Sequence, residues 1–130
     1  MLLGSLHAVY TVLDITKPRR LVPQDPAVAV AMANTAVRLA RGGSTMWQAW
    51  VGFNFSHSLG VFLFGALCVG AGIAVGSIAI PAWALLALVL VGLTYLGLGM
   101  LYWFRVPIAG IAIGTGFLFV AWLMYVRLGV

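Results

Sequence analysis

Residues 46–72 read MWQAWVGFNFSHSLGVFLFGALCVGAG, and no Asp, Glu, Lys or Arg interrupts them. A helix rises about 1.5 Å per residue, so a helix of this length can cross the roughly 30 Å hydrocarbon core of a bilayer. Ser44 or Thr45, directly before the run, can cap the first turn of that helix. The stretch therefore predicts a transmembrane span and sets the class of the whole protein.

Three further apolar runs accompany this span, at residues 1–15, 82–104 and 107–126. Pro81 suits the start of the third span, and the few residues from Arg105 to Pro107 leave room only for a tight hairpin before the fourth. The spans on either side of that hairpin must be antiparallel neighbours. We predict an all-α polytopic membrane protein, a single domain of residues 1–130 with four transmembrane helices in an antiparallel bundle.

The first run is the shortest of the four and reaches only about 22 Å as a helix. Either the helix begins within the outer leaflet, or the span starts upstream of residue 1. The run lacks the basic beginning and the small-residue cleavage site of a signal peptide. We therefore expect it to be retained as a helix.

The connection between the first two spans contains a further predicted helix. Asp25 and Pro26 suit an N-cap and a first helical residue, and Gly42 and Gly43 suit its end, so we predict a helix over residues 26–41. The polar residues that would share one of its faces are Asn34, Arg38 and Arg41. This pattern predicts an amphipathic helix in the cytoplasmic interface, or alternatively a helix that docks a partner.

Charge places the protein in a membrane and orients it there. Charged residues make up only 7% of the chain, whereas about a quarter of the residues of soluble domains are charged. The connection between the first two spans contains Lys17, Arg19, Arg20, Arg38 and Arg41. Arg105 falls on the same side of the bundle and Arg127 on the other, so the positive-inside rule predicts a cytoplasmic connection with both termini outside. We expect no nucleic-acid partner, because the aromatic residues lie within apolar runs.

Polar patches in the first two spans form the candidate site, since polar residues in hydrocarbon usually face other helices or a cavity. The first span carries Gly4, His7, Thr11 and Asp14 on one face, and the second carries Asn54, Ser56, His57 and Ser58. His7 lies ten residues before Lys17, and His57 lies ten residues after Trp47, so each imidazole is about 15 Å from the cytoplasmic boundary. We expect the two neutral imidazoles to meet in a polar pocket.

Several functions are compatible with this histidine pair. The imidazoles can act only as pins, through hydrogen bonds to Asn54 and Ser58 across the helices. They can also orient the polar head of a lipid or small apolar ligand, and binding of such a ligand or of a protein partner is the function we expect. Axial ligation of a haem b is a further alternative. No carboxylate lies at the depth of the histidines, so we expect no metal site beyond that alternative.

Catalysis and assembly are the remaining alternatives. One histidine can serve as the base of a membrane enzyme or a proton-coupled transporter, with Asp14 as a relay near the cytoplasmic end. The chain can also be an accessory subunit of a larger membrane complex, and its small size favours a homo-oligomer. No motif identifies catalytic residues, so we expect a non-catalytic protein.

The motif GFNFSHSLG at residues 52–60 has the form GxNxSHxxG, and it is accompanied by GSLHAVY at residues 4–10 and MWQAW at residues 46–50. In these stretches the first half of the chain resembles an uncharacterised family of small four-span bacterial integral membrane proteins. The resemblance implies a four-helix architecture with four pattern positions occupied by His7, Asn54, Ser56 and His57. It also implies a bacterial protein, which we expect in the inner membrane, and it implies no activity.

Overall fold

The computed structural model is all-helical and describes residues 1–40, 43–75 and 77–128. Its helices are α1 (Leu2–Thr16), α2 (Pro26–Asn34), α3 (Met46–Ala74), α4 (Ala82–Tyr102) and α5 (Arg105–Leu128), with a short 3-10 turn at Arg38–Ala40. The chain divides into two compact units, Met1–Gly65 and Ala66–Val130. The first contains α1, α2 and most of α3, and the second contains α4 and α5.

Three of the helices in the described part are long and apolar enough to cross a membrane: α3, α4 and α5. Their bounds lie within a few residues of the second, third and fourth predicted spans. The fourth begins at Arg105 because Pro107 is accommodated in the first turn, where its missing N–H is not needed. α1 is apolar but has only 15 residues, so it falls below the length of a typical span.

Burial in this protein is the reverse of burial in a water-soluble domain. Among the described residues the buried polar side chains are Thr11, Asp14, Asn54, Ser58 and Thr115, whereas the buried hydrophobic core consists of Val89. Large apolar side chains such as Phe53 and Trp83 are exposed. Exposed apolar surface is stable in hydrocarbon, and polar groups there need partners inside the protein. The burial pattern therefore agrees with membrane insertion.

The predicted amphipathic helix of residues 26–41 is wrong in its extent and character. α2 begins as expected, with the Ala27 N–H donating to Asp25 Oδ1 at 2.8 Å and with a proline in its first turn. It ends after nine residues at Asn34, since Thr35 is extended with φ −103° and ψ 122°. No charged residue lies within α2, so the predicted polar face is not formed.

A fold-back of the chain explains why α2 stops. The Val37 N–H donates to the Ser44 carbonyl, and the Met46 N–H donates to the Thr35 carbonyl, both at 2.8 Å. These bonds engage backbone groups that a longer helix would use. Arg38 consequently lies in the 3-10 turn and shares no helical face with Asn34. The predicted contributions of Arg41 and Gly42 lie outside the described residues.

α3 begins at a capping box, in which the side chains of the N-cap residue and of the third helical residue each bond the other's backbone N–H. The Gln48 N–H donates to Thr45 Oγ1 at 3.2 Å, and the Thr45 N–H donates to Gln48 Oε1 at 2.9 Å. Of the two predicted caps, Thr45 is therefore the residue used. This reciprocal pair fixes the first turn of the helix that carries the second polar patch.

In the first unit, α1 and α3 pack against each other in antiparallel orientation. A methyl group on Gly4 would lie 2.9 Å from both the Phe62 nitrogen and the Ser58 oxygen, and Met1 lies against Gly65. Earlier residues of α1 thus meet later residues of α3. The two backbones can approach this closely because Gly4 has no side chain.

In the second unit, α4 and α5 form the predicted antiparallel hairpin. A methyl group on Gly92 would lie 2.7 Å from Thr115 Oγ1, and one on Gly99 would lie 3.4 Å from Ile108. α4 ends where the Trp103 N–H donates to the Gly99 carbonyl, and α5 begins two residues later. Tyr125, near the end of α5, donates from its hydroxyl to the Ile80 carbonyl at 2.6 Å.

Candidate functional site

The candidate site lies between α1 and α3 in the first unit, and its central bond joins His7 to Asn54. The distance from His7 Nε2 to Asn54 Oδ1 is 2.8 Å, and Asn54 Nδ2 donates to the Trp50 carbonyl at 2.8 Å. Because a carbonyl can only accept, this second bond identifies Oδ1 as the amide oxygen. His7 Nε2 therefore carries the proton and donates it, which leaves Nδ1 as the acceptor nitrogen of the neutral ring.

His57 meets His7 beside this bond. The two ring centroids are 5.4 Å apart and the ring planes are inclined by 75°, an edge-to-face contact. The other side of the His57 ring stacks on Phe53, with centroids 5.9 Å apart and planes inclined by 11°. Both imidazoles are half-buried. The structure thus brings the two predicted histidines together at one level of the antiparallel pair.

Thr11 and Ser58 lie in the same interface but direct their hydroxyls to their own helices. Thr11 Oγ1 donates to the His7 carbonyl at 2.9 Å, and Ser58 Oγ donates to the Asn54 carbonyl at 2.7 Å. Each bond reaches back four residues, as is common for Ser and Thr in membrane helices. Both side chains are buried, Thr11 one turn after His7 in α1 and Ser58 one turn after Asn54 in α3.

Ser56 is not brought to this interface. Its side chain is exposed, and its hydroxyl donates to the Phe53 carbonyl at 3.0 Å. Two residues along a helix correspond to a rotation of about 200°, so Ser56 and Asn54 point to nearly opposite sides of α3. Its role in ligand binding stays a prediction, because the contact of its hydroxyl is with its own helix.

Asp14 caps the loop that follows α1. Its carboxylate accepts hydrogen bonds from three successive backbone N–H groups, those of Arg19, Arg20 and Leu21, at 2.6–3.2 Å. These bonds direct the carboxylate to the backbone of the following loop. The predicted relay stays a prediction, whereas the structural role in the loop is evident from these bonds.

Two further contacts of this loop are absent from the sequence prediction. The Trp50 indole N–H donates to the Leu21 carbonyl at 2.8 Å, and the Arg20 guanidinium lies 5.1 Å from the centroid of the Tyr10 ring. Tryptophan is enriched at membrane boundaries, so the place of Trp50 near the start of α3 is a signal of its depth. Nothing in the sequence identifies its backbone partner, because Leu21 lies 29 residues away.

The geometry of the histidine pair is poorly suited to a haem. Bis-histidine ligation places a porphyrin between two imidazoles, whereas here the rings touch edge to face. His7 Nε2 is in addition engaged by Asn54. Among the described residues, no group of three or more His, Cys, Asp or Glu side chains is arranged to hold a metal ion.

Comparison with family models, with curated proteins and with solved structures found no match.

Proposed function

We propose that this chain is an integral membrane protein whose first helix pair binds a lipid-like or apolar ligand through the two imidazoles. The observation that carries the proposal is the contact of His7 and His57 at a ring distance of 5.4 Å in a half-buried position. Histidines that served only to join the two helices could be fully buried, without access for a ligand. Rings that are half-buried in an apolar surface can meet the polar head of a molecule dissolved in the membrane.

The aromatic neighbours support an apolar body for this ligand. Phe53 is 57% exposed and stacks on His57, and Trp50 stacks on Phe53 with centroids 6.3 Å apart. These side chains follow each other along one face of α3 at spacings of three and four residues. An apolar ligand with its head at the imidazoles can lie along this strip, with its body against Phe53.

The bond to Asn54 restricts the head group that His7 can recognise. In the neutral ring, Nε2–H donates to Asn54. His7 can therefore bind a ligand only through the acceptor nitrogen Nδ1. A ligand head that donates a hydrogen bond, such as a hydroxyl group, is therefore favoured at this ring. The partner of this site is then an apolar molecule with a donating head, and no proton transfer is required of either histidine.

In the membrane, we place α1 as a fourth span, antiparallel to α3, with the connection from Lys17 to Thr45 in the cytoplasm. The antiparallel contact of α1 with α3 supports a common depth for the two helices. The concentration of cations in that connection supports its orientation by the positive-inside rule. Both termini then lie outside the cytoplasm. We place the protein itself in a bacterial inner membrane.

Ligand binding is tested on full-length protein purified in mild detergent without added ligand. Native mass spectra and solvent extraction should identify a small apolar molecule with wild-type protein. His57→Phe should abolish its retention, because this change keeps the stacking on Phe53 and removes the hydrogen-bonding nitrogens. Thr94→Val is the matched control, since the Thr94 hydroxyl donates to the Leu90 carbonyl within α4. Equal retention by His57→Phe and Thr94→Val would contradict the proposal.

Orientation is tested by cysteine labelling. Cys68 is the single cysteine, so Cys68→Ala gives a background into which Arg38→Cys is introduced. A membrane-impermeant maleimide should label this position in lysed cells and spare it in intact cells. Labelling in intact cells would place the connection outside and reverse the proposed topology.

A further inference from the structure

The loop after α1 presents a cluster of cations on a backbone that is held in place by Asp14 and by Trp50. Lys17, Arg19 and Arg20 are exposed, and Asp14 beneath them is buried with 3% of its surface accessible. The carboxylate holds the backbone nitrogens from Arg19 to Leu21. The backbone of this segment is therefore ordered while its cationic side chains face outward.

Asp14 does not neutralise the cluster through side-chain ion pairs. Its oxygens accept from backbone N–H groups, and within the described residues the side chains of Lys17 and Arg19 make no hydrogen bond or ion pair. Arg20 lies over the Tyr10 ring at 5.1 Å, a contact that positions a guanidinium and leaves its N–H donors available. Three positive charges thus remain available to an anion.

The depth of the loop identifies the anion. The indole of Trp50 bonds the Leu21 carbonyl, and tryptophan is enriched at the boundary between hydrocarbon and headgroups. Lipid phosphates lie at that same level. Arginine binds phosphate through two parallel N–H donors, and lysine adds a flexible point charge.

We propose that Lys17, Arg19 and Arg20 form a binding site for the phosphate of an anionic phospholipid, held in shape by Asp14. This site begins at Lys17, directly after α1 and ten residues or about 15 Å from His7, so it is distinct from the histidine site and does not rest on it. The phospholipid headgroup fixes the depth of α1, whose length is short for a span. Its function is to anchor that helix.

The role of Asp14 separates an ordered site from simple charge attraction. Asp14→Asn removes one negative charge and makes the cluster more positive, so simple attraction predicts tighter binding of an anionic lipid. An ordered site predicts weaker binding, because a neutral amide accepts the backbone hydrogen bonds less well and the loop loosens. The two explanations therefore predict changes of opposite sign.

The experiment uses the full-length protein in mild detergent and native mass spectrometry with phosphatidylglycerol or phosphatidylcholine. Wild-type protein should retain phosphatidylglycerol selectively. Arg19→Gln should weaken retention about five-fold, as expected for one cation near a membrane surface. Asp14→Asn should weaken it as well, and Arg127→Gln, a matched loss of charge in the second unit, should leave it unchanged.

Three results would overturn the proposal. These are tighter or unchanged phosphatidylglycerol binding by Asp14→Asn, an equal loss with Arg127→Gln, and displacement of the lipid by excess inorganic phosphate, which would indicate a site for free anions. Tyr10→Leu keeps all charges and removes only the support of Arg20, so it decides the question if Asp14→Asn does not fold. It should weaken phosphatidylglycerol binding, and unchanged binding would count against the site.

Discussion

The α1–α3 pair and the α4–α5 pair are both antiparallel, yet their contacts differ in chemistry. In the first pair, Gly4 lets one backbone approach the other, and the His7–Asn54 hydrogen bond joins the two helices. In the second pair, Gly92 receives the side chain of Thr115. The first pair therefore combines a close backbone approach with a polar bond, and the second fits a side chain against a glycine.

This difference shows how register is set where no hydrophobic force draws helices together. Close packing at small residues gives contact, and a hydrogen bond between two specific side chains selects one register. His7 and Asn54 supply such a bond in the first pair, and the same bond fixes the proton position of His7. The structural pin and the proposed ligand site thus share one residue.

The largest effect is expected at Gly4. Gly4→Ala would place a methyl group 2.9 Å from backbone atoms of Phe62 and Ser58, and backbone cannot move aside without separating the helices. We expect a loss of about 3 kcal/mol in the free energy of unfolding, measured by circular dichroism during titration with a denaturing detergent. Gly52→Ala is the control, because a methyl group there has no neighbour within 4 Å. Similar losses in both variants would refute the close backbone approach.

A smaller effect, which a second substitution should rescue, is expected at Gly92. The three atoms nearest to a methyl group at Gly92 all belong to the side chain of Thr115, so we expect Gly92→Ala to lose about 1–2 kcal/mol in the same detergent titration. Adding Thr115→Ala removes Oγ1 and Cγ2, the two nearest atoms, and should recover most of that loss. If the double variant were no more stable than Gly92→Ala alone, the proposed fit between these residues would be wrong.

The smallest effect is expected for the hydrogen bond between His7 and Asn54. A double-mutant cycle with His7→Phe and Asn54→Leu should give a coupling of about 1 kcal/mol, as found for hydrogen bonds between membrane helices. Unfolding free energies of the wild type, both single variants and the double variant provide the measurement. Strictly additive losses would show that the bond contributes nothing to the pairing.

The positions of the long helices could be predicted because each span is an uncharged run with recognisable ends. Pro81 and the Arg105–Pro107 hairpin mark the bounds of α4 and α5 within a few residues. The α2 prediction failed beyond Asn34, because helical periodicity does not report a competing backbone pairing. The bonds of Val37 and Met46 to the other side of the fold-back exist only after the chain has turned.

The candidate site shows the same division. Helical spacing placed His7 and Asp14 on one face of α1, and counting residues from Lys17 and from Trp47 gave His7 and His57 equal depth. Spacing could not decide that Asn54, rather than His57, accepts the hydrogen bond from His7 Nε2. It also could not show that Asp14 bonds three backbone nitrogens of the next loop.

By itself, the sequence determined that this protein belongs in a membrane and at what depth its polar residues lie along each helix. Hydrophobicity and helical rise are properties of the chain at each position. The tertiary structure decided which polar groups pair, since a hydrogen bond requires a donor and an acceptor within about 3 Å. Residues 47 apart, such as His7 and Asn54, reach that distance only through the packing of α1 against α3. That packing fixed the position of the proton on His7.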